Sequence, residues 1–217
     1  MDGEPVIATL LGTGTSVGVP VIGCSCAVCA SDHPGNRRTR SSLHLKTSGA
    51  SILVDSGPDL RQQALREGLR NIDAVLYTHC HLDHVAGFDE LRAFCWHRED
   101  PLPLFAGPET MATLERMFPW AMSNTSRNYV RPAPRLIAEP FTINDLRVTP
   151  VPVLHSSVET FGFRFDFPTG HSLAYISDVK EVPPASMALL NDLDTLIVDA
   201  QRPRPHPTHM NVEDCLL

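Results

Sequence analysis

No stretch of the 217-residue sequence approaches 18 consecutive apolar residues, so a membrane-spanning helix is not expected. No Lys or Arg precedes Arg37, and the apolar run Val6 to Leu11 is short for a secretory leader. That run reads as a first strand, and the sequence predicts no export. An excess of positive charge is also missing: 18 Lys and Arg face 25 Asp and Glu, a formal net charge of −7. That balance excludes wholesale coating of nucleic acid or of an anionic membrane as the main task. No internal repeat or low-complexity tract is visible. A chain of this length can bury a core without staples, so its six cysteines need another explanation than a disulfide framework. Three of them cluster as Cys24, Cys26 and Cys29, which reads as a thiolate metal cluster in a reducing, cytoplasmic compartment.

What is present is a chain punctuated by 19 prolines, in which short apolar runs repeatedly end in an acid or a histidine. Ser51 to Asp55, Ala74 to His79, Val151 to His155, Ala174 to Asp178 and Thr195 to Asp199 each read as a buried strand with a polar residue at its carboxyl end. Helical spacing lies between them, over Asp59 to Glu67, Phe88 to Trp96 and Glu109 to Met117. The alternation predicts one layered α/β domain over residues 1–217. Pro150 and Pro152 demote their strand to an edge or a short segment.

The densest chemistry is Thr78-His79-Cys80-His81-Leu82-Asp83-His84, three imidazoles and a carboxylate directly after a buried strand. With a period of two, His79 and His81 point the same way, and a turn then carries Asp83 and His84 to a neighbouring point. Two metals fit that layout better than one. Imidazole suits zinc, and the mixed donor set also accepts manganese or iron. Taken alone, His155 and Asp178 have ordinary readings as a structural strand-end histidine and a turn former.

Together, the His79-x-His81-x-Asp83-His84 run, the preceding Asp55-x-Gly57 and the later His155 and Asp178 resemble the metallo-β-lactamase fold hydrolases, over nearly the whole chain. More narrowly, four motifs are similar to the branch containing phosphoribosyl cyclic phosphate phosphodiesterases, a near relative of ribonuclease Z. These are Leu11-Gly12-Thr13-Gly14-Thr15-Ser16, Cys24-x-Cys26-x-x-Cys29, Arg37-Arg38-x-Arg40-Ser41-Ser42 and His206-Pro207-Thr208-His209. The resemblance implies an αββα sandwich, here lacking its last strand, with a dinuclear zinc or manganese site on one rim. It implies that His79, His81 and His155 hold one metal, Asp83 and His84 the second, and that Asp178 bridges them. Asp55 would orient a ligand imidazole, and a structural zinc would sit at Cys24, Cys26 and Cys29.

The implied activity is cleavage of a cyclic phosphate or small nucleotide phosphodiester by metal-borne hydroxide. Asp83 would orient the hydroxide, and His209, or else His206, would act as general acid. His81 favours hydrolysis, because the diiron redox members of the superfamily carry Glu there, and Cys80 reads as a spacer. In those relatives a C-terminal Thr-His-x-x-His segment supplies the seventh active-site ligand and the fourth zinc ligand. This sequence has no such segment, and its end, from Asn211 as a helix cap to Leu217, reads as cut short. His33 is the local candidate for the fourth zinc ligand. The absence of a Gly-, Pro- and Lys-rich arm argues against transfer-RNA processing, so a small phosphodiester substrate and no long nucleic acid are expected; no membrane partner is expected either, and the resemblance implies a possible homodimer. The alternatives are a thioesterase or lactonase of the same fold, and a metal-binding relative that is catalytically idle.

Overall fold

The computed structural model describes residues 5–96, 98–123 and 129–216. The first sheet runs, in sequence order, through β1 (Ile7–Gly12), β2 (Ser42–Lys46), β3 (Ser51–Val54), β4 (Ala74–Leu76), β5 (Leu102–Ala106) and β6 (Pro132–Leu136). The second runs through β7 (Phe141–Ile143), β8 (Leu146–His155), β9 (Val158–Asp166), β10 (Ser172–Ile176) and β11 (Thr195–Val198). Hairpin neighbours are antiparallel, whereas β3 to β6 and the β10–β11 pair are parallel.

Side-chain alternation explains the layering. On β3, Ile52 and Val54 join Leu43, Leu76 and Phe163 between the two sheets. Leu53 points the opposite way, into a cluster on the outer face. That outer face is covered by α1 (Leu60–Arg66), α2 (Leu82–Val85), α3 (Arg92–Cys95), α4 (Pro108–Met117) and α5 (Pro119–Met122). The second sheet carries α6 (Pro184–Ala188) near its own outer cluster of Val151, Val153, Ile176 and Val179. The result is the expected αββα order. A last helix, α7 (Val212–Leu216), is capped as the sequence implies, Asn211 Oδ1 accepting from the Asp214 N–H at 2.9 Å. Leu217 lies outside the described residues. No helix among the described residues is long and apolar enough to cross a membrane.

Two expectations change. The helical pattern over Phe88 to Trp96 divides into a 3₁₀ turn, Phe88–Leu91, and one turn of α-helix, α3. The proline-bearing strand is neither short nor at the edge: β8 has ten residues and lies between β7 and β9. Its prolines are tolerated because β7 pairs only with Leu146 to Val148. Pro150 and Pro152 have the parity of Leu154, whose N–H points away from β9 to Glu181 O at 2.9 Å, so no ladder donor to β9 is lost. Phe163 is fully buried between the sheets. Phe163→Ala is expected to lower stability by about 3 to 5 kcal/mol, read as a reduced midpoint in urea unfolding with an unchanged slope.

Candidate metal centre

The polar residues that end the apolar runs gather on one rim of the sandwich. β3, β4 and β10 stop at Val54, Leu76 and Ile176, so Asp55, His79 and Asp178 stand in the loops just past them. His81 keeps an extended backbone, and α2 then starts at Leu82. That single helical turn is what separates Asp83 and His84 from His79 and His81. One donor atom from each of His79, His81, His155 and Asp178 lies within 4.8 Å of the others. Asp83, His84 and Asp178 form a second such group, and Asp178 belongs to both.

The far sides of His155 and His79 are already engaged. His155 Nδ1 lies 2.8 Å from the backbone carbonyl of Thr208, which can only accept, so Nδ1 carries the proton and Nε2 offers a lone pair. Thr78 Oγ1 donates to Asp55 Oδ2 at 2.8 Å, so towards His79 Nδ1, at 3.0 Å, it must accept. His79 Nε2 is then also a lone pair. Both face His81 Nδ1, at 2.9 and 3.3 Å. One proton on His81 satisfies one of these contacts at a time, whereas a cation among the three nitrogens satisfies all of them.

Charge leads to the same conclusion. Burial, reinforced by the His84 charge, pushes His79 well below the usual imidazole range, and burial likewise lowers His81. Both rings are therefore neutral at physiological pH, the form in which an imidazole can ligate a metal. Burial also opposes a charge on His84, yet Asp55, Asp178 and Asp83 outweigh it and raise His84 well above its ordinary value. Its Nε2 lies 3.2 Å from Asp83 Oδ2 and 3.4 Å from Asp178 Oδ2. Burial opposes ionisation of Asp178 as well, and the contact with His84 overrides it, leaving a carboxylate. The His84 proton thus occupies the role of a cation among carboxylates, and the donor set fits divalent metals.

Asp55 fixes this arrangement from beneath. Fully buried, it accepts from the Thr78 N–H, from Thr78 Oγ1 and from His84 Nδ1, each at 2.8 Å. Its φ of 63° lies in the left-handed region, where Asp is among the few residues that sit at low cost. Gly57 is required two residues on because a Cβ there would strike the Asp83 carbonyl oxygen. The Asp55-x-Gly57 turn therefore supports both ligand groups.

Of the other candidates, His209 lies beside His155, with ring centroids 4.8 Å apart, and its Nδ1 is 2.6 Å from Asp199 Oδ2. Burial opposes a charge on His209, but the Asp199 contacts outweigh it and raise its pKa. His206 packs against His209 with its ring tilted by 59°, and turns its Nδ1 to Thr208. Cys24, Cys26 and Cys29 converge as a separate, largely exposed thiol group. The Cys29 N–H and the Cys24 thiol hold Cys26 down at about 7. His33 does not join them: its Nδ1 accepts from the Gly35 N–H at 3.1 Å and caps the 3₁₀ turn Pro34–Asn36. Sequence reasoning missed the Thr78 bridge, the Thr208 carbonyl and the Asp199 partner. The only signal for Asp199 was its place at the end of a run matching the one that ends at Asp178.

The model of the β-lactamase superfamily domain matches residues 50–217, and the chain belongs to that superfamily, with the metallo-β-lactamase fold. Within it, the chain is similar to a crystal structure of a new diphosphatase from the PhnP family. That match has 38% identity and a TM-score of 0.87, over 98% of this chain and 81% of the other. The structure of Zn²⁺-bound PqqB from Methylobacterium extorquens has 27% identity and a TM-score of 0.73, over 90% and 73% of the two chains. An octanoyltransferase from Porphyromonas gingivalis is 36% identical over 215 residues, which is 95% of this chain and 42% of that protein. The chain thus spans less than half the length of that curated relative.

Asp55→Ala is expected to weaken zinc binding by about 10- to 100-fold, measured by competition with a chromophoric chelator. A cation must displace the proton on His84, so zinc affinity should rise as pH increases from 6 to 8, with protons released on binding across that range. Calorimetry in buffers of different ionisation enthalpy reads both.

Proposed function

We propose that the chain is a metal-dependent hydrolase of small phosphate esters, working with two divalent cations, zinc or manganese. The observation that carries this reading is the sharing of Asp178 by two donor groups. Similarity to the PhnP-family diphosphatase supports phosphate chemistry, and similarity to Zn²⁺-bound PqqB supports zinc. The name of the Porphyromonas relative belongs to a protein of which this chain matches 42%, so acyl transfer is not carried over.

His79, His81 and His155 would hold one cation, Asp83 and His84 the other, and Asp178 would stand between them. Bound there, two cations would lower the pKa of a water toward ~7 and neutralise charge developing on phosphorus. The residues of the chain do the rest. Asp83, half-buried at the mouth of the site, orients the attacking water. His209, whose protonated form the contact with Asp199 favours, donates a proton to the departing alkoxide. The Cys24, Cys26 and Cys29 thiols would hold a structural zinc away from the reaction.

The reading is tested by metal analysis together with hydrolysis of bis-p-nitrophenyl phosphate, before and after chelation. Chelation should abolish turnover, and zinc or manganese should restore it. Loss of thioester cleavage instead, with no diester turnover at any metal load, would move the assignment to carboxyl chemistry. His209→Ala should lower kcat by about 10²- to 10⁴-fold while metal content stays at the wild-type level. A matching loss of metal would make His209 a ligand rather than a proton donor.

A further inference from the structure

The three clustered thiols lie on the long connection between β1 and β2, whose stem is closed by backbone pairing. Gly14 N–H donates to Thr39 O at 2.7 Å, and Val19 and Arg38 exchange hydrogen bonds at 2.8 and 2.9 Å. Val19 lines a cavity of about 210 Å³ whose lining also includes Asp83 and Asp178. Two residues on, the Val21 N–H donates to Cys29 Sγ at 3.3 Å. Cys26 and Cys29 stand on one α-turn, closed by the Ala30 N–H donating to Cys26 O at 2.9 Å. Inside that turn the Cys29 N–H donates to Cys26 Sγ, 3.5 Å away. The three sulfurs lie within 4.8 Å of one another, and no fourth His, Cys, Asp or Glu among the described residues joins them. His33 is spent on its backbone cap. Cys24 and Cys26 are exposed and Cys29 is half-buried, whereas Cys95 is buried.

We propose that Cys26 and Cys29 are a redox pair that closes to a reversible disulfide under peroxide and gives up the structural zinc assigned to the cluster. Residues three apart on a helical turn are neighbours. The present sulfur spacing leaves a side-chain rotation and a small closing of the turn before the ~2 Å of an S–S bond. Cys24 precedes the turn and is the odd thiol. Three thiolates leave one of the four positions of a tetrahedral zinc without a donor from the described residues. The chemistry balances with hydrogen peroxide as oxidant. The exposed Cys26 sulfur attacks one peroxide oxygen, the O–O bond breaks, and a sulfenic acid and one water result. The Cys29 sulfur then displaces the hydroxyl, which forms the S–S bond and a second water. Two electrons pass from the sulfurs to the peroxide oxygens. The two protons come from the thiols or, where zinc holds them as thiolates, from solvent. Cys24 alone is then too small a donor set for zinc. Where the surroundings are reducing, such bonds are transient and act as sensors. Closing the bond turns Cys29 Sγ towards Cys26 and takes it from the Val21 N–H, which loosens the loop two residues from the cavity wall at Val19. Release of zinc rests on the reading above that these thiols hold it; formation of the disulfide does not.

Treatment of the zinc-loaded full chain with hydrogen peroxide tests this, read by intact mass, peptide mapping and a chromophoric zinc chelator. The expected result is a loss of about 2 Da mapped to Cys26 and Cys29. It should come with release of about one zinc per chain beyond that released without peroxide. A thiol reductant with added zinc should reverse both. Cys24→Ser should keep the mass loss, whereas Cys26→Ser and Cys29→Ser should each abolish it. Amide hydrogen exchange at Val21 should quicken on oxidation, while exchange in β3 stays unchanged. Oxygen added to Cys26 without a disulfide, a bond formed through Cys24, or all six thiols intact after peroxide overturns the proposal. A chain that holds no zinc at the cluster yet forms the bond between Cys26 and Cys29 would overturn the structural-zinc reading and leave the redox pair standing.

Discussion

The carboxylate of Asp55 is buried beneath the rim of the sandwich, and its three hydrogen bonds join elements that are distant in sequence. It closes β3, holds the start of the histidine loop after β4 through Thr78, and orients His84 at the opening of α2. Thr78 passes this constraint on, because its only hydroxyl proton is spent on Asp55 and it must therefore accept from His79. One buried acid thus settles which nitrogen of two different imidazoles faces outward. Burying that charge is costly in isolation, and it is tolerated because every partner is a donor.

The surrounding architecture explains why the donors meet. Parallel strands send their carboxyl ends to one edge, and here β3 and β4 from one sheet and β10 and β11 from the other open on the same rim. The two sheets are held together by a dry layer that includes Leu43, Val54, Leu76 and Phe163. Packing of that layer sets how closely Asp178 approaches His79 and His84. Rigid elements therefore position the donor atoms, while the short turns between strand and helix aim them.

Much of the centre was legible because it is local. His79, His81, Asp83 and His84 lie within six residues, and the change from extended chain to helix at Leu82 is enough to split them into two groups. The strand-end positions of Asp55, His155 and Asp178 were also legible from apolar runs ending in a polar residue. What escaped the sequence depends on register between distant segments. The pairing of His209 with Asp199 needs the loop after β11 to fold back over β8. The tolerance of Pro150 and Pro152 inside the second sheet depends on where β7 stops pairing, which composition does not encode. His33 shows the opposite error, in which a suggestive spacing from Cys29 proved to serve a turn of backbone.

The parallel pairing of β10 with β11 places Asp178 and Asp199 just past the ends of adjacent strands, in step from Leu173 opposite Thr195 to Ile176 opposite Val198. A slip of one residue along β11 would shift Asp199 by about 3.3 Å and turn its side chain to the other face. Every donor atom of the two metal groups would be untouched, since none resides on β11. The proposed metal donors and the carboxylate partner of the proposed proton donor therefore stand on separate strands. On that proposal, a descendant of this chain that lost the second would keep the first, and its donor groups would look intact.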